Sequence, residues 1–223
     1  MQDPNLVLTG PTRSVVLSGT NFIEVDLKVK GTSEDKTLFS RVVQLTSLEP
    51  PYSRLLQKTD VGKFSTLEFT LGHIIFSLEA TISVRVIGGS WPDGFHGKFA
   101  AYTTSVDRKG DVIAGTKSAH GKEIVLLVFG PEKAPLTGDG KIELSRCVVC
   151  VEDNGKLEVA VKAWQGDNII AGTASFTVKE SGRSCINLVI ASCQMEVTVA
   201  WSLISSTPEL RKDTILKNNC CSS

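Results

Sequence analysis

The chain has 223 residues, of which 41% are hydrophobic and 22% are charged, and its 24 basic side chains balance 24 acidic ones. This composition supports a sizeable core and argues against wholesale disorder, and the balanced charge argues against a nucleic-acid groove or a polybasic membrane patch. No apolar run approaches the roughly 20 residues that span a bilayer, and residues 1–5 lack the basic and apolar regions of a secretory signal.

Apolar and polar residues alternate along most of the chain, which is typical of strands with one buried and one exposed face. The first clear strand is predicted at 22–30, where the alternation is strict, and the next at 38–45. Pro50 and Pro51 then break the chain. Residues 55–61 are the one stretch for which we predict a short helix.

Two paired strands, 64–71 and 74–87, are predicted before the sharpest turn signal of the sequence, Trp91-Pro92-Asp93-Gly94. Proline fixes φ for the second position of a turn, and glycine supplies a positive φ at little cost. We therefore expect Pro92 at the second position of this turn and Gly94 at the fourth.

The second half of the chain continues the pattern. Residues 124–129 are apolar on both faces, so we place this strand centrally in a sheet. The hairpins of 78–106 and 157–178 both carry tryptophan at the bend, which fits either two duplicated halves or convergent hairpin chemistry. The remaining strands are predicted at 97–106, 112–114, 141–151, 156–164, 169–178, 186–191 and 194–204.

Together these patterns predict an all-β fold, an antiparallel β-sandwich over 22–204. Residues 1–21 are expected to form an N-terminal extension or edge strand, and residues 205–223 a polar C-terminal tail.

Aromatic and polar side chains cluster around the turn that follows residue 90. Exposed rings there, together with Trp164, would suit a carbohydrate or a lipid surface. Alternation puts Phe95 and Phe99 on one face, however, and packing of these rings in the core is the favoured interpretation. The candidate binding residues are Trp91, Asp93, Phe95 and His96.

The sequence carries no strong catalytic or metal motif. Cys147 and Cys150 have the spacing of half a zinc site or a redox pair, but an offset of three on a strand separates the two sulfurs, and no second such pair follows. Turn aspartates raise the possibility of calcium binding, yet no loop has D-x-D spacing. No G-x-S-x-G motif accompanies the histidines. We expect no catalytic residue, no metal and no cofactor.

Cysteine usage bears on the compartment. Six cysteines in a chain of this length are too sparse for a disulfide framework, and there is no Asn-x-Ser/Thr sequon. We therefore expect a cytoplasmic protein with free thiols. Cys220 and Cys221 formally fit a prenylation signal, although the middle positions are not aliphatic, and they are kept as lipidation candidates.

Several segments together resemble a family of known sequences. They resemble the uncharacterised β-rich domain of cereal grasses, which also occurs C-terminal to the ribosome-inactivating domain of jasmonate-induced proteins. The resemblance covers about residues 3–204. The segments that carry it are 23–31, 65–69, 78–82, 89–95, 144–146, 148–149, 159–164 and 196–203.

The resemblance implies a plant stress or defence protein with no established activity and no functional residues to carry over. Relatives have another strand-rich segment before the position of Asp3, which implies that an N-terminal strand is missing and that a sheet edge is left open. Any rRNA N-glycosidase activity would reside in the ribosome-inactivating domain, for which this chain has no room.

We therefore expect a non-enzymatic interaction module, linked to the jasmonate response and to translation, that binds a protein partner through the loops 88–97 and 130–140. The alternative is a module that binds carbohydrate or a lipid surface through exposed loop aromatics. We expect neither direct nucleic-acid binding nor a transmembrane segment, and the oligomeric state is left open.

Overall fold

The computed structural model describes residues 6, 12–16, 19–46, 53–105, 121–132 and 134–204, and the regular elements within these are twelve β-strands. They pair in four antiparallel sheets, which confirms the predicted all-β, sandwich-like fold. No helix in the described residues is long and apolar enough to cross a bilayer. The strands are β1 Thr20–Val29, β2 Lys36–Thr46, β3 Arg54–Val61, β4 Thr66–His73, β5 Ser77–Gly88, β6 His96–Ser105, β7 Ile124–Phe129, β8 Val148–Glu152, β9 Gly155–Gln165, β10 Asn168–Thr177, β11 Gly182–Ile190 and β12 Cys193–Leu203.

The chain divides into two compact units. The smaller unit holds β1 to β4 as two antiparallel hairpins, β1–β2 and β3–β4. The larger unit holds β5 to β12 in two four-stranded sheets. The predicted extents of an N-terminal extension, a sandwich domain and a tail stay predictions, as does a missing N-terminal strand.

In the smaller unit, the strict alternation of β1 produces the expected two-faced strand. Buried Phe39 and Val43 of β2 lie opposite Leu27 and Ile23 of β1 in the register, so one face of this hairpin is apolar. The Ser65 hydroxyl donates to the Leu38 carbonyl at 3.0 Å and links the two hairpins of this unit.

The predicted helix at 55–61 is wrong, because this stretch is β3. The weak helical preference of its leucine, glutamine and lysine residues yields to pairing with β4, which runs from Arg54 opposite His73 to Val61 opposite Thr66. The predicted pairing of 64–71 with 74–87 is also wrong. β4 pairs with β3, whereas β5 pairs with β12 and β8.

The larger unit is a pair of sheets packed on one core. Sheet I has the strand order β10-β9-β6-β7, and sheet II has the order β11-β12-β5-β8. Alternating apolar residues of both sheets join in a single buried cluster, exemplified by Phe99 and Val159 of sheet I and Ile82 and Val197 of sheet II. The same alternation leaves each sheet with a second, outer face.

Three further details of the larger unit differ from the sequence predictions. The 124–129 strand, β7, is an edge strand of sheet I rather than a central one. Its successive residues Leu126 and Leu127 are both buried, although the strand lies at an edge, and the Arg146 amide donates to the Leu126 carbonyl at 3.0 Å. The strand predicted at 141–151 is confined to β8, and Lys141 and Ile142 form only isolated bridges before it.

The third difference concerns the proposed repeat. β9 and β10 are a hairpin as predicted, closed by Gly166 with a φ of 56°. β5 and β6 are not a hairpin, because the chain crosses from sheet II to sheet I between them. The strand predicted at 112–114 lies outside the described residues.

Candidate functional site

The turn that carries the predicted binding residues is part of the core. Trp91 and Phe95 are each only 8% exposed. The indole of Trp91 makes an edge contact with Phe129 at 5.1 Å between ring centroids, and its Nε1 donates to the Phe95 carbonyl at 3.1 Å. The core interpretation of these aromatics is confirmed, and neither ring is an exposed platform for a ligand.

The geometry of this turn differs by one residue from the prediction. The Phe95 amide donates to the Pro92 carbonyl at 3.3 Å, so the turn begins at Pro92 and Gly94 occupies its third position. Gly94 has a φ of 76°, the positive value that a type II turn requires at that position. Asp93 is exposed at the second position.

His96, the fourth predicted binding residue, leaves the turn and begins β6. It lies opposite Trp164 of β9 in the register, and the two rings stack at 5.2 Å between centroids with 13° between their planes. Both side chains are half-buried on the outer face of sheet I. The structure therefore brings His96, a predicted binding residue, next to Trp164, the tryptophan suggested for binding a carbohydrate or a lipid surface.

The outer face of sheet I contains a shallow groove of about 470 Å³. Its floor is made of short side chains, Ala100, Ala160 and Ala171, which lie on neighbouring strands and leave room between the longer side chains around them. This depression is called the sheet I groove below. Its volume falls within the range of roughly 300–1,000 Å³ that is usual for ligand pockets.

Two lysines face each other beside the floor of the sheet I groove. Lys98 of β6 is the register partner of Lys162 of β9. Lys98 Nζ lies 2.5 Å from Glu123 Oε2, whereas Lys162 Nζ lies 6.0 Å from the centroid of the Trp164 ring, within range of a cation–π contact. Among the described residues, Lys162 has no carboxylate within ion-pair distance.

A tyrosine and a carboxylate close the other end of the groove. The Tyr102 hydroxyl donates to Glu123 Oε1 at 2.8 Å. The hydrogen bond from Lys98 is the main cause that lowers the pKa of Glu123, and the hydrogen bond to Glu123 is the main cause that raises the pKa of Tyr102. At neutral pH the groove therefore presents an ionised Glu123 and a neutral Tyr102.

Sequence reasoning missed Lys98, Lys162, Tyr102 and Glu123. The outward positions of β6 and β9 could be read from the alternation, and they already hold charged and aromatic residues. Their convergence depends on the register between two strands far apart in the sequence, which no local pattern supplies.

Sheet II carries a different polar cluster, which sequence reasoning also missed. Glu79 occupies an outward position of β5, yet it is buried. Its carboxylate lies 3.0 Å from Arg13 Nε and accepts a 2.7 Å hydrogen bond from the Ser14 amide. The Ser202 hydroxyl is a third neighbour at 3.4 Å. The N-terminal segment at 13–14 is thereby attached to sheet II.

The cysteines form no recognisable centre in the described part of the chain. Cys147 precedes β8 and Cys150 lies within it, and both are free thiols, as are Cys185 and Cys193. Burial raises the pKa of the Cys150 and Cys193 thiols. No group of three or more His, Cys, Asp or Glu side chains among the described residues could hold a metal ion. The lipidation candidates Cys220 and Cys221 lie outside those residues.

Comparisons with known proteins give a family and little else. The family model described as Domain of unknown function (DUF6598) matches residues 1–199. No curated protein matches the chain significantly. Among solved structures, the chain is similar to the crystal structure of a C2 domain protein from Ramazzottius varieornatus, with 14% identity and a TM-score of 0.29 over 59% of this chain and 92% of that one.

Proposed function

The chain belongs to the family described as Domain of unknown function (DUF6598), and we propose that it is a non-enzymatic binding module whose ligand lies in the sheet I groove. One observation carries the proposal: Trp164, on which His96 stacks, the facing lysines and the Tyr102–Glu123 pair converge around an alanine floor. Concave sites that combine aromatic surface with a few placed polar groups are typical of ligand recognition.

The protonation states of the groove support binding rather than proton transfer. A general acid or base works best when its pKa lies near the operating pH. Here the pKa of Glu123 is lowered and that of Tyr102 is raised, so both move away from neutrality. Both oxygens of Glu123 also have partners, Lys98 and Tyr102. These groups are held as fixed donors and acceptors.

A protein partner is a second candidate ligand of the same face. Ile169 of β10 is 56% exposed and Val128 of β7 is 54% exposed, and they lie on opposite sides of the groove. Apolar residues beside a tryptophan and a tyrosine are common at the centres of protein interfaces. The loops 88–97 and 130–140 would then contribute only at the margin, because Trp91 and Phe95 anchor the first of them in the core.

The biological setting is proposed from the sequence resemblance alone. On that basis, the module serves stress or defence proteins of cereal grasses, in the cytoplasm, in a response linked to jasmonate and translation. Lipidation at Cys220 or Cys221 remains a proposal that mass spectrometry of the native protein would test.

The function is tested by surface variants with matched controls. Trp164→Ala and Lys162→Glu alter the sheet I groove. Val189→Ala and Lys141→Glu make comparable changes at exposed positions on or beside sheet II. Each protein is used to probe a glycan array and to capture proteins from extracts of jasmonate-treated grass leaves, after circular dichroism has shown the same β-rich spectrum for all of them.

We expect one class of ligand to be lost from both groove variants, retained by both controls, and recovered chemically unchanged after incubation. A ligand that is retained by the groove variants and lost from the controls would place the binding surface elsewhere. A ligand that is consumed would show that the protein is an enzyme.

A further inference from the structure

We propose that the ligand of the sheet I groove is an acidic saccharide, in which a sugar ring carries a carboxylate. This inference rests on the proposed function and specifies its ligand. It combines three features of the groove: a flat aromatic surface, one cation beside it that has no ion-pair partner among the described residues, and a mixture of hydrogen-bond donors and acceptors at the far end.

The aromatic surface is the indole of Trp164. Its stacking on His96, with 13° between the ring planes, fixes the orientation of the indole on the sheet. A pyranose ring has one face of C–H groups that packs well against such a surface, because an aromatic face is electron-rich and the C–H bonds are weakly positive. On the neighbouring strand Ile169 lies opposite Trp164, and the short side chain of Ala171, opposite Lys162, leaves space for the sugar ring between the indole and the lysine.

The cation is Lys162. Lys98, its register partner, already has its charge balanced by Glu123 at 2.5 Å. Lys162 also acts electrostatically on Glu123, but among the described residues it has no carboxylate within ion-pair distance, and its Nζ lies 6.0 Å from the centroid of the Trp164 ring. A carboxylate on a sugar that packs on Trp164 would therefore find a partner for a charge-assisted hydrogen bond within the same site.

The far end of the groove provides what sugar hydroxyls require. A hydroxyl both donates and accepts, so a site for a polyol needs both kinds of group. Glu123 retains lone pairs beyond those used by Lys98 and Tyr102, and the Thr173 hydroxyl lies along the same groove. Lys98 and Tyr102 are held by Glu123, and both line the groove, where a ligand would meet them.

The same charges argue against a nucleic acid as the occupant. A phosphodiester chain places one negative charge on each nucleotide and needs a continuous positive track. Here Glu123 lies at one end of the groove, and Glu158 lies opposite Tyr102 in the register. These two carboxylates would repel successive phosphates, whereas they accept hydrogen bonds from the hydroxyls of a sugar that has a single carboxylate near Lys162.

The test uses two probes that differ only in charge. The first is an oligogalacturonate, and the second is the same oligosaccharide after methyl esterification of its carboxylates. Titration calorimetry at low salt compares the wild type with Lys162→Gln, Trp164→Ala and Trp164→Phe. Lys141→Gln is the matched control, because it removes the charge of an exposed lysine beside sheet II.

We expect the wild type to bind the acid about tenfold more tightly than the ester, and Lys162→Gln to abolish that preference. Trp164→Ala should weaken binding of both probes, Trp164→Phe should restore part of it, and Lys141→Gln should change neither. Equal binding of acid and ester by the wild type, or a preference that survives Lys162→Gln, would overturn the proposal.

The failure of this inference can be separated from the failure of the proposed function. If neither oligosaccharide binds, while an RNA oligonucleotide or a captured protein depends on Trp164 and Lys162, the acidic saccharide is wrong and the binding module stands. If the ligand captured in the surface-variant experiment ignores both residues, both proposals are wrong.

Discussion

The two four-stranded sheets of the larger unit have equivalent inner faces and very different outer faces. Inside, each contributes alternating apolar side chains to one core. Outside, sheet II presents small hydroxyls and charged side chains at neighbouring register positions, such as Ser83 beside Thr198 and Arg85 beside Glu196. The outer face of sheet I instead holds the groove with its stacked rings and facing lysines. Core packing constrains the inner faces most strongly, and among the described residues the outer face of sheet I is the one with a constellation suited to a ligand.

The outer face of sheet II uses its buried polar group for structure. Glu79 receives the Ser14 amide and the Arg13 guanidinium and so holds the N-terminal segment. In the sheet I groove, by contrast, the polar groups remain open to solvent and Lys162 has no ion-pair partner among the described residues. A buried, saturated cluster stabilises the fold, whereas an open, unsaturated one is available to a ligand.

The strongest test of the equivalence of the inner faces is to truncate one large side chain in each. Phe99 of sheet I and Met195 of sheet II are both fully buried. We expect Phe99→Ala to lower the free energy of unfolding by about 3–5 kcal/mol and Met195→Ala by about 2–5 kcal/mol, because each leaves a cavity. Urea denaturation measures both, and a loss below about 1 kcal/mol in either would show that the two faces are not equally packed.

A second test concerns the close packing at the Trp91 end of sheet I. A Cβ on Gly97 would lie 2.0 Å from Cζ of Phe129, the ring that contacts Trp91. We expect Gly97→Ala to destabilise the protein by about 1–3 kcal/mol through overpacking. Gly130→Ala is the control, since a Cβ there has nothing within 4 Å. Equal thermal midpoints for the two variants would contradict this packing.

A third test separates the buried from the exposed partner in the sheet II cluster. Glu79→Ala should lower the free energy of unfolding by about 1–3 kcal/mol, because the Ser14 amide loses its acceptor. Arg13→Ala should cost less than about 1 kcal/mol, since the Arg13 side chain is 54% exposed. Hydrogen exchange at the Ser14 amide should accelerate in Glu79→Ala only. Comparable losses of unfolding free energy in Glu79→Ala and Arg13→Ala would assign the stabilisation to the ion pair.

The smallest expected effect is the pH response of the sheet I groove. The folded pKa of Glu123 is lower than its ordinary value of 4.5, so the stability that it contributes is present above that value and is lost as the pH falls through the folded pKa. The pKa of Tyr102 is higher than 10.0, so its contribution is present below that value and is lost as the pH rises through the folded pKa. The cluster should therefore be intact between these limits.

NMR titration of the Glu123 carboxyl carbon measures the lower limit. We expect a midpoint below 4.5 in the wild type and a shift towards 4.5 in Lys98→Met, because Lys98 is the main cause of the lowered pKa. An unchanged midpoint in the variant would mean that Lys98 does not hold Glu123 in solution.

The sequence was sufficient to predict the fold class because alternation is a local property. In β5, β9 and β12, residues two apart share a face, so a run such as Val197, Val199 and Trp201 identifies the core directly. The prediction of a helix at 55–61 failed because residue composition is a weak guide to secondary structure where pairing with another strand, here β4, determines it. The central placement of β7 failed because successive apolar residues can be buried in an edge strand, as Leu126 and Leu127 are, and the Arg146 amide bonds to the Leu126 carbonyl there.

The candidate site was predictable only in part. His96 and Trp164 were both named, but their contact depends on the register of β6 with β9. Trp91 and Phe95 were named because they flank a turn, and turn chemistry does not tell whether a ring points inward or outward. Lys98 and Lys162 look like ordinary solvated charges in their own strands and become a pair only when the strands are adjacent.

We propose the outer face of sheet I as the ligand-binding surface of the protein. Amide chemical-shift mapping of the ¹⁵N-labelled chain, titrated with the oligogalacturonate, tests it in a single experiment. We expect shifts concentrated on β6, β9 and β10 around His96, Lys98, Lys162 and Trp164, with β5 and β12 unchanged. Shifts centred on the outer face of sheet II would contradict it, and no shift at saturating oligosaccharide would contradict the acidic saccharide as its ligand.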